Sequence, residues 1–79
     1  MPTVLRIGPY RFYFFSNEGS EPRHIHVKSG NAEAKFWLEP IELLAWQSGF
    51  NDRQLSQIEK HIEENLDLLL DAWDEFFGV

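Results

Sequence analysis

A change of period constrains this chain more than any single residue does. After Asn51 the apolar residues Leu55, Ile58, Ile62, Leu66, Leu69, Trp73 and Phe76 recur every three or four positions, which is one stripe along a helix. Before residue 39 apolar and polar residues alternate, and Gly, Pro and Asn break the alternation every few positions. A helical period does not settle as a strand, nor an alternating one as a helix. The chain is therefore expected to build a sheet first and a helical layer second. With 79 residues the two layers must share one core in one domain, residues 1–79. A chain of this size buries only about 60–65% of its unfolded surface. Seven Phe, three Trp and two Tyr help so short a sequence fill that core.

Four strands are expected in the first half. Thr3 to Ile7 is the first, with Leu5 and Ile7 on one face and Val4 and Arg6 on the other. Gly8-Pro9 suits a II′ hairpin turn. Tyr10 to Ser16 is the second strand, dividing Phe12 and Phe14 from Arg11, Tyr13 and Phe15. Asn17 to Arg23 reads as a polar loop. His24 to Lys28 is the third strand, Ser29-Gly30-Asn31 a tight turn, and Ala32 to Leu38 the fourth strand. Its residues Ala34, Phe36 and Leu38 oppose Glu33, Lys35 and Trp37 across the pleat.

Glu39-Pro40 changes the pattern, since Pro favours a first helical position. Ile41 to Ser48 reads as a short helix stopped by Gly49. Asn51 and Gln54 form a capping-box signature, with Phe50 and Leu55 at the staple positions and Asp52 in the first turn. One long helix is expected from about Asp52 to Phe77, ended by Gly78. The expected class is α+β: a mostly antiparallel four-stranded sheet of two hairpins, with a short helix and a long C-terminal helix on one face.

Charge narrows the function classes. The net charge is −6, which disfavours nonspecific nucleic-acid binding by the molecule as a whole. Residues 1–37 carry five basic and three acidic side chains, and residues 38–79 carry two basic and ten acidic. Four acids of the long helix, Asp67, Asp71, Asp74 and Glu75, lie in its second half, where the helix dipole disfavours them. A solvated acidic face is the common meaning of such a run, and a cationic partner is the other. There are no cysteines, so disulfides and thiolate metal sites are excluded. No apolar run reaches membrane-spanning length, and no basic stretch followed by an apolar one opens the sequence. A cytoplasmic protein without a membrane partner is expected.

The chemistry-bearing residues crowd into Pro22-Arg23-His24-Ile25-His26-Val27-Lys28. In a strand His24, His26 and Lys28 share one side, while Ile25 and Val27 face the core. If the helices cover the apolar side, the open side carries Arg6, Arg11, Tyr13, Phe15, His24, His26, Lys28, Glu33, Lys35 and Trp37. Aromatics interleaved with Arg and Lys can stack on bases, or can serve as a protein interface. They can also be covered by the loop at 17–23. A metal would need a third ligand from Glu18, Glu21 or Glu33, beside the repelling charges of Arg23 and Lys28, so no metal and no cofactor is expected. His24 and His26 can instead act as base and acid on a phosphodiester, because histidine titrates near neutrality. The bland alternative is a pair of strand histidines bonded to the preceding loop. His61 reads as a boundary residue of the helix.

Several runs resemble a known family. Val4-Leu5-Arg6-Ile7-Gly8, Tyr10-Arg11-Phe12, Phe15-Ser16-Asn17-Glu18, Pro22-Arg23-His24-Ile25-His26-Val27, Ala34-Lys35-Phe36-Trp37-Leu38-Glu39-Pro40 and Glu63-Glu64-Asn65 to Ala72-Trp73 together look like the domain-of-unknown-function family 4160. Arg23 stands where the commoner form of the family has a second Pro. The resemblance implies a short bacterial or archaeal cytoplasmic protein. It also implies a gene often placed beside that of another small protein, as in toxin–antitoxin pairs. It carries over no catalytic residue.

The leading expectation is a protein-interaction module, one component of a toxin–antitoxin-like two-gene pair. It would dock the protein encoded nearby through Arg11, Tyr13, Phe15, Arg23, Lys28, Lys35 and Trp37. The alternative is a metal-independent ribonuclease or RNA-binding toxin. There His24 and His26 are catalytic, and Arg11, Arg23 or Lys28 steadies the charge. A third reading is a homo-oligomer joined through exposed sheet edges.

Overall fold

The computed structural model describes residues 3–15, 22–38 and 41–78. The expected loop at 17–21, the Glu18 and Glu21 ligand candidates and the Glu39-Pro40 breakpoint lie outside the described residues. Among the described residues five strands, β1 (Thr3–Ile7), β2 (Tyr10–Tyr13), β3 (His24–Ser29), β4 (Ala32–Leu38) and β5 (Ile41–Ser48), precede two helices, α1 (Asp52–Glu64) and α2 (Leu66–Phe77). The strands form one antiparallel sheet in the order β1-β2-β3-β4-β5. The class is therefore α+β, as the change of period implied.

Local chemistry sets the early register. Ile7 pairs with Tyr10 across Gly8-Pro9, and Gly8 takes φ 55°, which Pro9 could not adopt. The β3–β4 hairpin runs from His24 opposite Trp37 to Ser29 opposite Ala32. Leu38 N–H donates to the Arg23 carbonyl at 3.0 Å and extends the pairing by one step.

The chief correction concerns Ile41–Ser48, which is a fifth strand and not a short helix. Its pairing with β4 slips twice: Ala45 lies between Leu44 and Trp46 without a partner in the register, and Glu42 between Ile41 and Leu43. Two bulges destroy the alternation that would announce a strand, leaving an apolar run whose spacing imitates a helix. The free edge of the buried strand β4 decides the outcome, because a ladder outweighs a weak local propensity. Gly49 ends this strand at φ 94°, and a Cβ there would lie 3.0 Å from the Ala32 Cβ.

A smaller bulge re-aims β1. Thr3 pairs with Tyr13 and Leu5 with Phe12, so Val4 is the extra residue. Val4 packs against the core cluster, where strict alternation placed it beside Arg6 on the opposite face.

The helical layer opens as its sequence signals. Asn51 Oδ1 accepts from Gln54 N–H at 2.8 Å, and Gln54 Oε1 accepts from Asn51 N–H at 3.0 Å. The single long helix is instead two. At Asn65 the backbone departs to φ −121° and ψ 19°, and its side-chain amide donates to the His61 carbonyl at 2.9 Å. An Asn side chain competing for backbone groups in this way interrupts a helix. The break shifts the phase of the stripe. Ile58, Ile62, Leu69 and Trp73 are buried, but Phe76 is exposed and Phe77 packs on Trp73 at 4.2 Å. Gly78 closes α2 by donating to the Asp74 carbonyl.

The core lies between the helices and one sheet face. Phe12, Phe14, Ile25, Val27, Ala34, Phe36 and Leu38 meet Ile58, Ile62, Leu69 and Trp73 there. Tyr10 joins the same side and donates its hydroxyl to Gln57 of α1 at 2.9 Å.

Candidate functional site

The far face of the sheet is assembled by alternation, because residues directly opposite in antiparallel strands share a face. One row runs Arg6, Arg11, Lys28, Glu33 and Ser48 across all five strands. The next runs Thr3, Tyr13, His26, Lys35 and Trp46. A third contains His24 and Trp37. Arg6, Arg11, Lys28 and Lys35 on this face oppose Glu33.

The middle of the face is a packed aromatic cluster. The His26 ring stacks on Tyr13, with centroids 5.4 Å apart and planes 21° from parallel. Phe15 meets His26 edge-on at 4.7 Å, and His24 meets it edge-on at 5.2 Å. His24 also meets Trp37 at 5.6 Å and Trp73 of α2 at 4.8 Å. Each such contact contributes modestly beyond area burial, about 0.5–1.5 kcal/mol for good geometry. Cations flank the cluster at both ends: Arg11 lies 5.0 Å from the Tyr13 ring centre, and the Lys35 ammonium 4.6 Å from that of Trp37.

Both histidines are therefore packed within the fold. His24 is 0% exposed and His26 5%. Alternation places both side chains on the outer face, but it says nothing of what covers them. Nδ1 of His24 lies 2.9 Å from the Pro22 carbonyl. A carbonyl only accepts, so Nδ1 carries the proton. That bond fixes the ring against the lead-in to β3.

The expected binding residues divide into three groups. Arg11, Lys28 and Lys35 keep part of their surface on the open face, and Trp37 is half-buried among them. Lys28 pairs loosely across the ladder with Glu33 at 3.8 Å. Tyr13 is buried beneath the cluster, while Phe15 remains 37% exposed. Arg23 is engaged elsewhere: its Nη2 lies 2.7 Å from Oδ1 and 2.9 Å from Oδ2 of Asp74 on α2. Among the described residues no three His, Asp or Glu side chains converge as a metal would require. Likewise no helix is long and apolar enough to cross a membrane.

Sequence reasoning missed Trp46. It lies opposite Lys35 on the same face and is 45% exposed. A strand reading of residues 41–48 would have found it, had the bulge at Ala45 not hidden the alternation. His61 does sit at a boundary, half-buried, with its ring 6.0 Å from Tyr10.

A family model described as Domain of unknown function (DUF4160) matches residues 10–74, from β2 to the last turns of α2. No curated protein and no solved structure matches the chain.

Proposed function

The chain belongs to the DUF4160 family, and we propose that it is a small cytoplasmic protein-binding module, one component of a toxin–antitoxin-like pair of proteins. The observation that carries this reading is the open part of the far sheet face, beyond the end where Trp73 of α2 covers His24. There Trp46 is 45% and Phe15 37% exposed, on a face that also bears Arg11, Lys28 and Lys35. Interfaces are enriched in aromatic residues and Arg, and a rigid sheet presents them without backbone ordering cost. The cationic fringe fits an acidic, partly apolar partner surface.

The histidine cluster supports binding over hydrolysis. A general base and acid must reach the proton they move, directly or through one water. His24 and His26 instead act as packing residues that hold Tyr13, Phe15 and Trp37 in place. The two-protein arrangement is supported by the family resemblance, whose genes often stand beside that of another small protein.

Co-expression with the product of the neighbouring gene tests this reading. A stable complex is expected, with Trp46→Ala and Lys35→Glu each weakening it about tenfold or more, the scale of an interface anchor. A chain that purifies alone beside its neighbour overturns it.

The row Arg6, Arg11, Lys28 favours one second reading, binding of single-stranded RNA. In that case a short RNA quenches Trp46 fluorescence with a steep salt dependence, and the RNA stays intact.

A further inference from the structure

On the helix side of the molecule, β1 and α2 leave a groove between them. Val4, Phe14, Leu68, Ala72 and Phe76 give it an apolar lining, and Asp71 and Glu75 belong to the same wall. Leu68 and Phe76 are 46% and 43% exposed, large apolar side chains left open on a helix whose neighbours Leu69 and Trp73 are buried. They stand two turns apart along α2, about 12 Å at the ordinary helical rise. Ala72 lies midway between them, and its short side chain leaves room for an approaching backbone.

Three features specify what would fill this groove. The first is charge. Residues 38–79 carry ten acidic and two basic side chains, and among the described residues the charged side chains lining the groove, Asp71 and Glu75, are acidic. The second is the helix dipole. The last turn of α2 contains no basic residue, while Glu75 lies near its carbonyl end. A cation from outside relieves that repulsion. The third is backbone shape. The bulge at Val4 spoils the flat edge that an added strand would need, and it turns Val4 toward the groove. A helix, whose own backbone is satisfied, has no need of that edge.

We infer that this groove receives an amphipathic, cationic α-helix from a partner protein. Its apolar stripe would seat on Leu68, Ala72 and Phe76, and its Lys or Arg residues would meet Asp71 and Glu75. This surface lies on the opposite side of the sheet from Trp46 and does not rest on the reading of that face. Thr3, Val4, Glu75 and Phe76 lie outside the matched residues 10–74. Half of the described lining is thus supplied by segments beyond the family match.

The probe is a synthetic Leu/Lys amphipathic peptide of about 16 residues, long enough to approach helicity once bound. The same peptide with Glu in place of Lys is the control. Amide shift mapping on the full chain is expected to move Val4, Leu68, Ala72 and Phe76 with the Lys peptide. Lys35 and Trp46 should stay still. Asp71→Lys with Glu75→Lys should weaken binding at least tenfold, and Leu68→Ser should do the same, each with an unchanged circular dichroism spectrum. Trp46→Ala should leave it unaltered, which separates this groove from the sheet face. Equal binding of the Glu peptide, shifts confined to the sheet face, or indifference to the charge reversal each overturn the inference. So does a concentration-dependent shift of the groove without peptide, which would make a second copy of the chain its occupant.

Discussion

Arg23 and Asp74 are joined across 51 residues of sequence by contacts of 2.7 and 2.9 Å between one guanidinium nitrogen and both carboxylate oxygens. This ion pair ties the lead-in of β3 to α2 at the end of the molecule where His24 meets Trp73. Each side chain keeps about a third of its surface in water, 32% and 31%, so screening limits its worth. A double-mutant cycle with Arg23→Ala and Asp74→Ala is expected to return a coupling of about 1 kcal/mol, shrinking in high salt. Zero coupling at low salt would show that the contact is incidental to the docking of α2.

His24 makes a different prediction, because it is fully buried among rings. His24→Ala removes edge contacts to His26, Trp37 and Trp73 and the bond to the Pro22 carbonyl. Cavity formation and the lost ring contacts together should cost about 2–4 kcal/mol. A urea titration measures this as a lower midpoint at constant slope. His26→Ala, at 5% exposure and with Tyr13 stacked on it, should destabilise in the same direction. Unchanged midpoints in both variants would return the pair to the status of free functional groups.

Legibility followed the pleat. From β2 to β4 the alternation is unbroken, so Phe12, Ile25, Val27, Ala34 and Phe36 could be assigned to the core from spacing alone. The readings of residues 3–7, 41–48 and 52–77 failed where the period slips. Val4 changes side through one bulge and Ala45 disguises a strand through another. Asn65 resets the helix so that Phe76, in phase on paper, is exposed. The candidate site was legible to the same extent. Rows through Arg11, Lys28, His26 and Lys35 followed from parity, whereas Trp46 did not. Burial of the histidines depends on contacts distant in sequence, such as Trp73, and no local pattern encodes those.

Gly49 offers a test of the β4–β5 junction. Its φ of 94° disfavours any side chain, and an added Cβ would stand 3.0 Å from the Ala32 Cβ. Gly49→Ala should therefore cost about 1–3 kcal/mol, the sum of backbone strain and crowding. Ala32→Gly in the same chain removes the Cβ contact but leaves the Ala32 Cα at 3.1 Å and the strained φ, so the double variant should recover only part of the loss. Full recovery would mean that the Cβ contact alone requires glycine there, and no recovery that the backbone does, through φ and the close Ala32 Cα.

The sheet edges predict the state of association. β1 and β5 are the outer strands, and an exposed edge invites pairing with another chain. Here both edges are interrupted, β1 at Val4 and β5 at Glu42 and Ala45. Bulges twist a strand and break the even row of donors and acceptors that a second copy would need. The chain should accordingly sediment as a monomer at high micromolar concentration. Deleting Ala45 removes the bulge beside the exposed Trp46 and restores an even ladder at that point. The deletion variant is expected to dimerise where the parent does not. A parent chain that already dimerises, with β5 amides protected from exchange in proportion to concentration, would show that the bulges do not guard the edge.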